Sequence, residues 1–192
     1  VYACVAAINR MLESRQLPAV DQESYRQIFD FPVKNYYRRL GFDMESEDWD
    51  AMAREFHAHY DEFAIDAGLR DGATETLAAI SDRGIGMSVL SACEITTLER
   101  MLREQGIRHF FDHVFGLDNL YATSKLDQGK RLIGALAIAP EEIILVGDTN
   151  HDHDVARDLG IRCLLLAGGH QSESRLAAAD LLAKPTDILQ HL

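Results

Sequence analysis

The chain has 192 residues, 47% of them hydrophobic and 26% charged, which excludes a disordered or fibrous protein and leaves room for one α/β core plus a smaller module. Thirty-one acidic against nineteen basic side chains leave a formal charge of -12, a field that repels nucleic acid and anionic membranes. It leaves open a small anionic ligand, because a metal ion and a few local cations can reverse the potential inside one cleft.

From Val1 to about Phe63 the apolar residues recur at helical spacing: Val5, Ile8, Met11 and Leu12, then Tyr25, Ile28 and Phe29, then Trp49, Met52, Ala53, Phe56, Tyr60 and Phe63. Pro18 and Pro32 punctuate this stretch, Gly41 ends its third helix, and Ser46 is the expected N-cap of the fourth, with Glu47 and Asp48 in its first turn. Four antiparallel helices in a small bundle fit. Beyond Gly68 short apolar strands alternate with helices, the pattern of a parallel sheet covered on both faces. The expected order is a helix over 74–83, a strand over 86–90, a helix over 95–105 and a strand over 113–116. A helix over 127–137, a strand over 143–146, a helix over 151–159 and a strand over 162–166 follow, then a short strand over 179–182 and a helical turn after Pro185. This is an open, doubly wound, Rossmann-like sheet over 69–192 preceded by a helical module over 1–68.

Cys4, Cys93 and Cys163 are odd in number and lack the spacing of a zinc or redox motif, so they read as reduced, buried small residues. The apolar runs Ile143 to Val146 and Cys163 to Ala167 are far too short to span a bilayer, and no basic-then-apolar leader opens the chain. The expectation is a cytoplasmic protein, monomer or homodimer, without membrane or nucleic-acid partners.

In a parallel sheet of this kind ligands gather at the carboxyl ends of the strands. There the apolar strand ending at Val146 runs into Gly147, Asp148, Thr149 and then Asp152. Two hard carboxylates four residues apart suit Mg2+, with Asp148 as a direct ligand and Asp152 holding a metal-bound water or orienting Asp148. The same residues also read as a helix cap with acids at its positive end. Ser91 ends an earlier strand and, with Ala92 and nearby backbone N–H groups, can hold a phosphoryl oxygen or simply form a turn. Lys125, in a strand-to-helix loop, either reaches the same cleft to neutralise a phosphoryl group or lies on the surface.

Gly-Asp-Thr-x-x-Asp after an apolar strand, a serine closing an earlier strand and a lysine between them resemble the fourth, second and third motifs of the haloacid dehalogenase superfamily. The helical module over 1–68 resembles the cap of its phosphoglycolate-phosphatase-like branch. The resemblance implies a Mg2+-dependent phosphohydrolase that cleaves a small phosphomonoester through an aspartyl-phosphate. Ser91 and Ala92 would bind substrate, Lys125 would stabilise the phosphoryl group and the nucleophile, and Asp148 with Asp152 would hold the metal. Lys130 rivals Lys125 but falls inside the expected helix. Leu126 replaces the proline that usually follows the motif lysine.

The superfamily's nucleophile lies in an Asp-x-Asp-x-Thr turn after a first, central strand, and that turn does not occur in this sequence. Asp61, Glu62 and Asp66 have no strand before them and read as surface positions. Either the strand and its nucleophile precede Val1, or the protein is a non-catalytic phosphate- or Mg2+-binding relative. A missing central strand would strand unpaired ladder groups on both neighbours, which favours the first explanation. A haloalkanoate dehalogenase is a further alternative, though it does not need the Asp148 arrangement; the long helical stretch argues against a receiver-like module. His151 and His153 read as surface or rim residues, and Lys34, Arg38 and Arg39, beside Tyr36 and Tyr37, as a solvated helix face. Gly168, Gly169 and His170 read as a loop at the cleft's rim.

Overall fold

The structure is a computed structural model describing residues 1–64, 67–176 and 180–192; Asp66 and the start of the expected strand at Ala179 lie outside the described residues. Four helices come first: α1 (Tyr2–Ser14), α2 (Gln22–Ile28), α3 (Val33–Arg39) and α4 (Trp49–Ala64). Their inward faces meet in one cluster of Ile8, Met11, Leu12, Tyr25, Tyr36 and Met52, all nearly inaccessible. Asp21 caps α2 by accepting the Ser24 N–H. At α4 the cap is Asp48, not Ser46: the Asp48 carboxylate accepts the N–H groups of Asp50 and Ala51, while the Ser46 hydroxyl donates to Asp43. Both residue types satisfy the free amides of a first turn, and only the entry path of the chain selects between them.

The remainder alternates as expected: α5 (Ala73–Asp82), β1 (Ser88–Glu94), α6 (Ile95–Glu104), β2 (His113–Leu117), α7 (Leu126–Leu136), β3 (Ile144–Gly147), α8 (Asn150–Leu159), β4 (Arg162–Leu166) and β5 (Asp180–Leu182), with a 3-10 helix over Pro185–Gln190. All pairings are parallel. They form two sheets rather than one, β1 with β2 and β3 with β4 and β5. No strand joins β1 to β3 among the described residues, and the sequence holds no further strand pattern to do so. The two edges nevertheless share a core, because Leu90 of β1 packs with Leu145 of β3 and Val155 and Ala156 of α8. Val146, in β3, stays 38% exposed.

β1 runs four residues further than expected, to Glu94, and its register shifts after Leu90: four steps from Leu90 to Glu94 match two from Phe115 to Leu117. Ser91, Ala92 and Cys93 therefore form a bulge inside the strand instead of a turn after it. Gly116 makes this possible, since a Cβ there would stand 2.8 Å from the Cys93 carbonyl oxygen. The three cysteines are free and half-buried rather than fully buried. Among the described residues, no helix is long and apolar enough to cross a membrane.

Candidate active site

The carboxyl ends of β1 and β3 open into a cavity of about 430 Å³, roofed by α2, α3 and α4. Ser91, Ala92, Lys125, Asp148 and Asp152 all line it. Sequence position alone scatters these five over 62 residues; the parallel connections bring them to one floor.

The fixed point of that floor is Asp152. Thr149 caps α8 and forms a reciprocal capping box with Asp152. Asp152 Oδ2 accepts three hydrogen bonds, from Asp148 N at 3.0 Å, Thr149 N at 2.9 Å and Thr149 Oγ1 at 2.6 Å. Its Oδ1 meets Lys125 Nζ at 2.6 Å, and that ammonium also donates to the Leu90 carbonyl of β1 at 3.1 Å. Both side chains are buried, so the pair spans the two sheets in a medium of low dielectric. Burial pushes the Asp152 carboxyl up, but the Lys125 charge and the hydrogen bonds outweigh it and hold it below the usual carboxylate range. Gly147 permits the arrangement, since a Cβ there would overlap the Asp152 side chain.

Asp148 points into the cavity with one oxygen committed: Oδ2 accepts the His170 N–H at 2.9 Å, while Oδ1 receives no hydrogen bond among the described residues. The backbone at Gly169 passes so close that a Cβ would overlap the Asp148 carboxylate. His170 is half-buried and lines the cavity, and its Nδ1 lies 2.7 Å from the Tyr25 hydroxyl of α2, tying roof to floor. Burial pushes its imidazole down, against the attraction of Asp148. Gln171 extends the tie, accepting from Asn150 N and donating to the Phe29 carbonyl.

The Ser91 hydroxyl accepts the Cys93 N–H at 3.0 Å, which orients it within the bulge. Lys130 stands on the exposed face of α7, 3.8 Å from Asp127 and away from the cavity. His151 lines the cavity wall, its ring stacked 4.6 Å from Phe31. Arg38 and Arg39 are occupied by Asn35, Asp30 and the Ile28 carbonyl, and Tyr36 and Tyr37 are core residues instead of members of a surface cluster. Asp61 pairs with Arg100 at the surface. Sequence reasoning placed Gly169 and His170 in a loop at the cleft but foresaw neither the contact of His170 with Tyr25 nor the close approach of Gly169 to Asp148.

Residues 2–166 match the profile of haloacid dehalogenase-like hydrolases. A phosphoglycolate phosphatase of Synechococcus elongatus is 25% identical over 177 residues, covering 89% of this chain and 80% of that protein. The pyrophosphatase PpaX of Halalkalibacterium halodurans is 22% identical over 150 residues, 78% of this chain and 68% of its own length. A solved haloacid dehalogenase-like hydrolase of Streptococcus pneumoniae superposes with a TM-score of 0.85 at 20% identity, covering 99% of this chain and 90% of that one, which extends the likeness of fold over nearly the whole molecule. A profile spanning most of the sequence, together with this shared fold, shows that the chain belongs to the haloacid dehalogenase-like hydrolase family.

Proposed function

We propose that this chain carries the greater part of a Mg2+-dependent phosphohydrolase of the phosphoglycolate-phosphatase-like kind, with 1–68 as the cap and 69–192 as the catalytic core. The observation that carries the reading is the floor of the cavity, where a buried ammonium, a hydroxyl and a carboxylate with a free oxygen converge. Similarity to a phosphoglycolate phosphatase and a pyrophosphatase supports phosphoryl chemistry.

Mg2+ suits this donor set. It takes one or two protein carboxylates and fills its remaining positions with water and phosphate oxygens, so a lone Asp148 Oδ1 is a fitting protein ligand. Among the described residues no cluster of three His, Cys, Asp or Glu competes as a closed metal cage. Asp152, with both oxygens occupied, orients Asp148 and Lys125 from behind. When bound, the ion would neutralise a phosphoryl oxygen and favour charge developing in the transition state.

The chain's own residues supply the rest. The Ser91 hydroxyl and the bulged backbone at Ala92 would receive a second phosphoryl oxygen, and Lys125, held by Asp152, would neutralise the transferring group and its nucleophile. An aspartate of the first-motif turn, absent from these 192 residues, would form the aspartyl-phosphate. The separate edges of β1 and β3 support a strand carrying that turn between them. The helical roof would exclude water and select the leaving group.

The test is p-nitrophenyl phosphate hydrolysis by protein expressed from its complete reading frame, with and without Mg2+. Metal-dependent turnover is expected, reduced at least about 100-fold in Asp148→Asn. Absence of turnover from a reading frame that lacks an Asp-x-Asp turn would instead assign a binding role.

A further inference from the structure

The cavity's floor and its walls differ in chemistry. Among the described residues, Asp148, Asp152 and Lys125 are the only charged ones lining it, and all three belong to the floor. The upper wall is built from rings, among them Phe31, Tyr36, Trp49, Phe56, Tyr60 and Tyr121. Phe56 and Tyr60 stack at 5.9 Å with 22° between their planes, and Trp49 faces Tyr121 at 6.5 Å. Trp49, Phe56, Tyr60 and Tyr121 are only half-buried, so part of each ring remains free to meet a ligand.

Cations stand near this wall, but among the described residues none of them lines it: Lys34 lies 5.8 Å from the centroid of Trp49, outside the cavity lining. Burial pushes the wall's His57 imidazole down, and so favours its neutral form. Tyr36 Oη, behind the wall, is buried without a hydrogen-bond partner among the described residues and brings no charge to it. A second phosphate or a carboxylate on the leaving group would be drawn from water into this space without a counter-charge, a cost of several kcal/mol in general. A planar apolar ring would instead gain offset or edge-on contacts. A cavity of about 430 Å³ is ample for a phosphoryl group and one ring system.

We infer that the substrate is a phosphomonoester whose leaving group is an uncharged alcohol bearing an aromatic ring, received between Tyr60, Phe56, Trp49 and Tyr121. This rests on the phosphoryl-binding reading of the floor, and it separates this chain in specificity from the phosphoglycolate and pyrophosphate phosphatases it is similar to.

Isothermal titration of the full chain in Mg2+ compares three non-hydrolysed ligands. They are 2-phenylethylphosphonate (isostere of benzyl phosphate), 3-phosphonopropionate (isostere of phosphoglycolate) and inorganic phosphate. The phenyl ligand is expected to bind at least about tenfold more tightly than the carboxylate ligand, and Tyr60→Ala and Tyr121→Ala should each narrow that preference by about three- to tenfold. Tyr121 sits in a loop and donates its hydroxyl to Asp50 of α4 at 2.7 Å, so each variant is compared with wild type at matched far-UV spectrum and Tm. Equal or tighter binding of 3-phosphonopropionate, or a preference that both variants leave intact, would overturn the inference while phosphate binding left the floor's reading standing. Failure of all three ligands to bind would overturn both.

Discussion

Removing the Lys125 ammonium should uncover how much of this fold depends on one buried charge pair. In Lys125→Met the Asp152 carboxylate, 5% exposed, keeps its three hydrogen bonds from Asp148 and Thr149 but loses its only ion-pair partner among the described residues. Breaking such a pair from one side costs about 3–5 kcal/mol in general. The retained hydrogen bonds place this case near the lower end, about 3 kcal/mol, or a fall in Tm of about 6–12 °C for a chain of this size. Urea unfolding with the slope checked for constancy measures it. Asp152→Asn should be comparably destabilising, since it strands the ammonium, and the double variant should recover a coupling of about 1–3 kcal/mol. The penalty should also depend on pH. In the native protein the lowered Asp152 pKa contributes stability above the ordinary carboxylate range, and that contribution disappears as pH falls through the folded value. Without Lys125, only the retained hydrogen bonds oppose burial and the carboxyl takes its proton at higher pH, so the difference between variant and wild type should shrink on acidification. A cost below about 1 kcal/mol at pH 7.5, or additive single variants, would refute the reasoning.

Gly169→Ala places a methyl where the Asp148 carboxylate lies, and displacing the group proposed to hold the metal by even about 1 Å can cost on the order of 100-fold in rate. The expected outcome is lost Mg2+-dependent turnover with a far-UV spectrum and Tm close to wild type; unchanged turnover would show that the loop yields instead. His57 is pushed down by burial, against a hydrogen bond with Leu120, so the unfolded chain binds its proton first. Its share of stability is complete above pH about 6.5 and is lost as pH falls through the lower folded value. His57→Gln should therefore flatten the decline in Tm between pH 7 and pH 5.5, and a decline as steep as wild type would exclude the assignment. Burial raises the thiols of Cys4, Cys93 and Cys163 to about 11, so a disulfide reagent at pH 8 should label them slowly in the native state and rapidly in urea.

Much of this architecture was legible in the sequence because it rests on local pattern. Helical periodicity to Phe63 and the change to alternating short strands after Gly68 reproduce the element order, and the strand over 162–166 matches residue for residue. Asp148, Lys125 and Ser91 were visible because a parallel sheet places the residues after its strands at one end. The same rule separates Lys125 from Lys130, which one turn of helix carries to the outside.

What the tertiary structure alone decided involves groups distant along the chain. Tyr25 and His170 are 145 residues apart, and no periodicity foretells their contact or the His170 amide on Asp148. The Ser91 bulge depends on Gly116 in the neighbouring strand, and the capping residue of α4 depends on the path of the preceding loop. Tyr60 and Phe56 look like any apolar helical stripe; whether a stripe packs into a core or lines a cavity is fixed by what faces it. Sequence thus determined which faces are apolar and which strand ends carry charge, since both follow from bonded neighbours. Packing decided which of those faces meet, because that free energy belongs to pairs of surfaces and not to either segment alone.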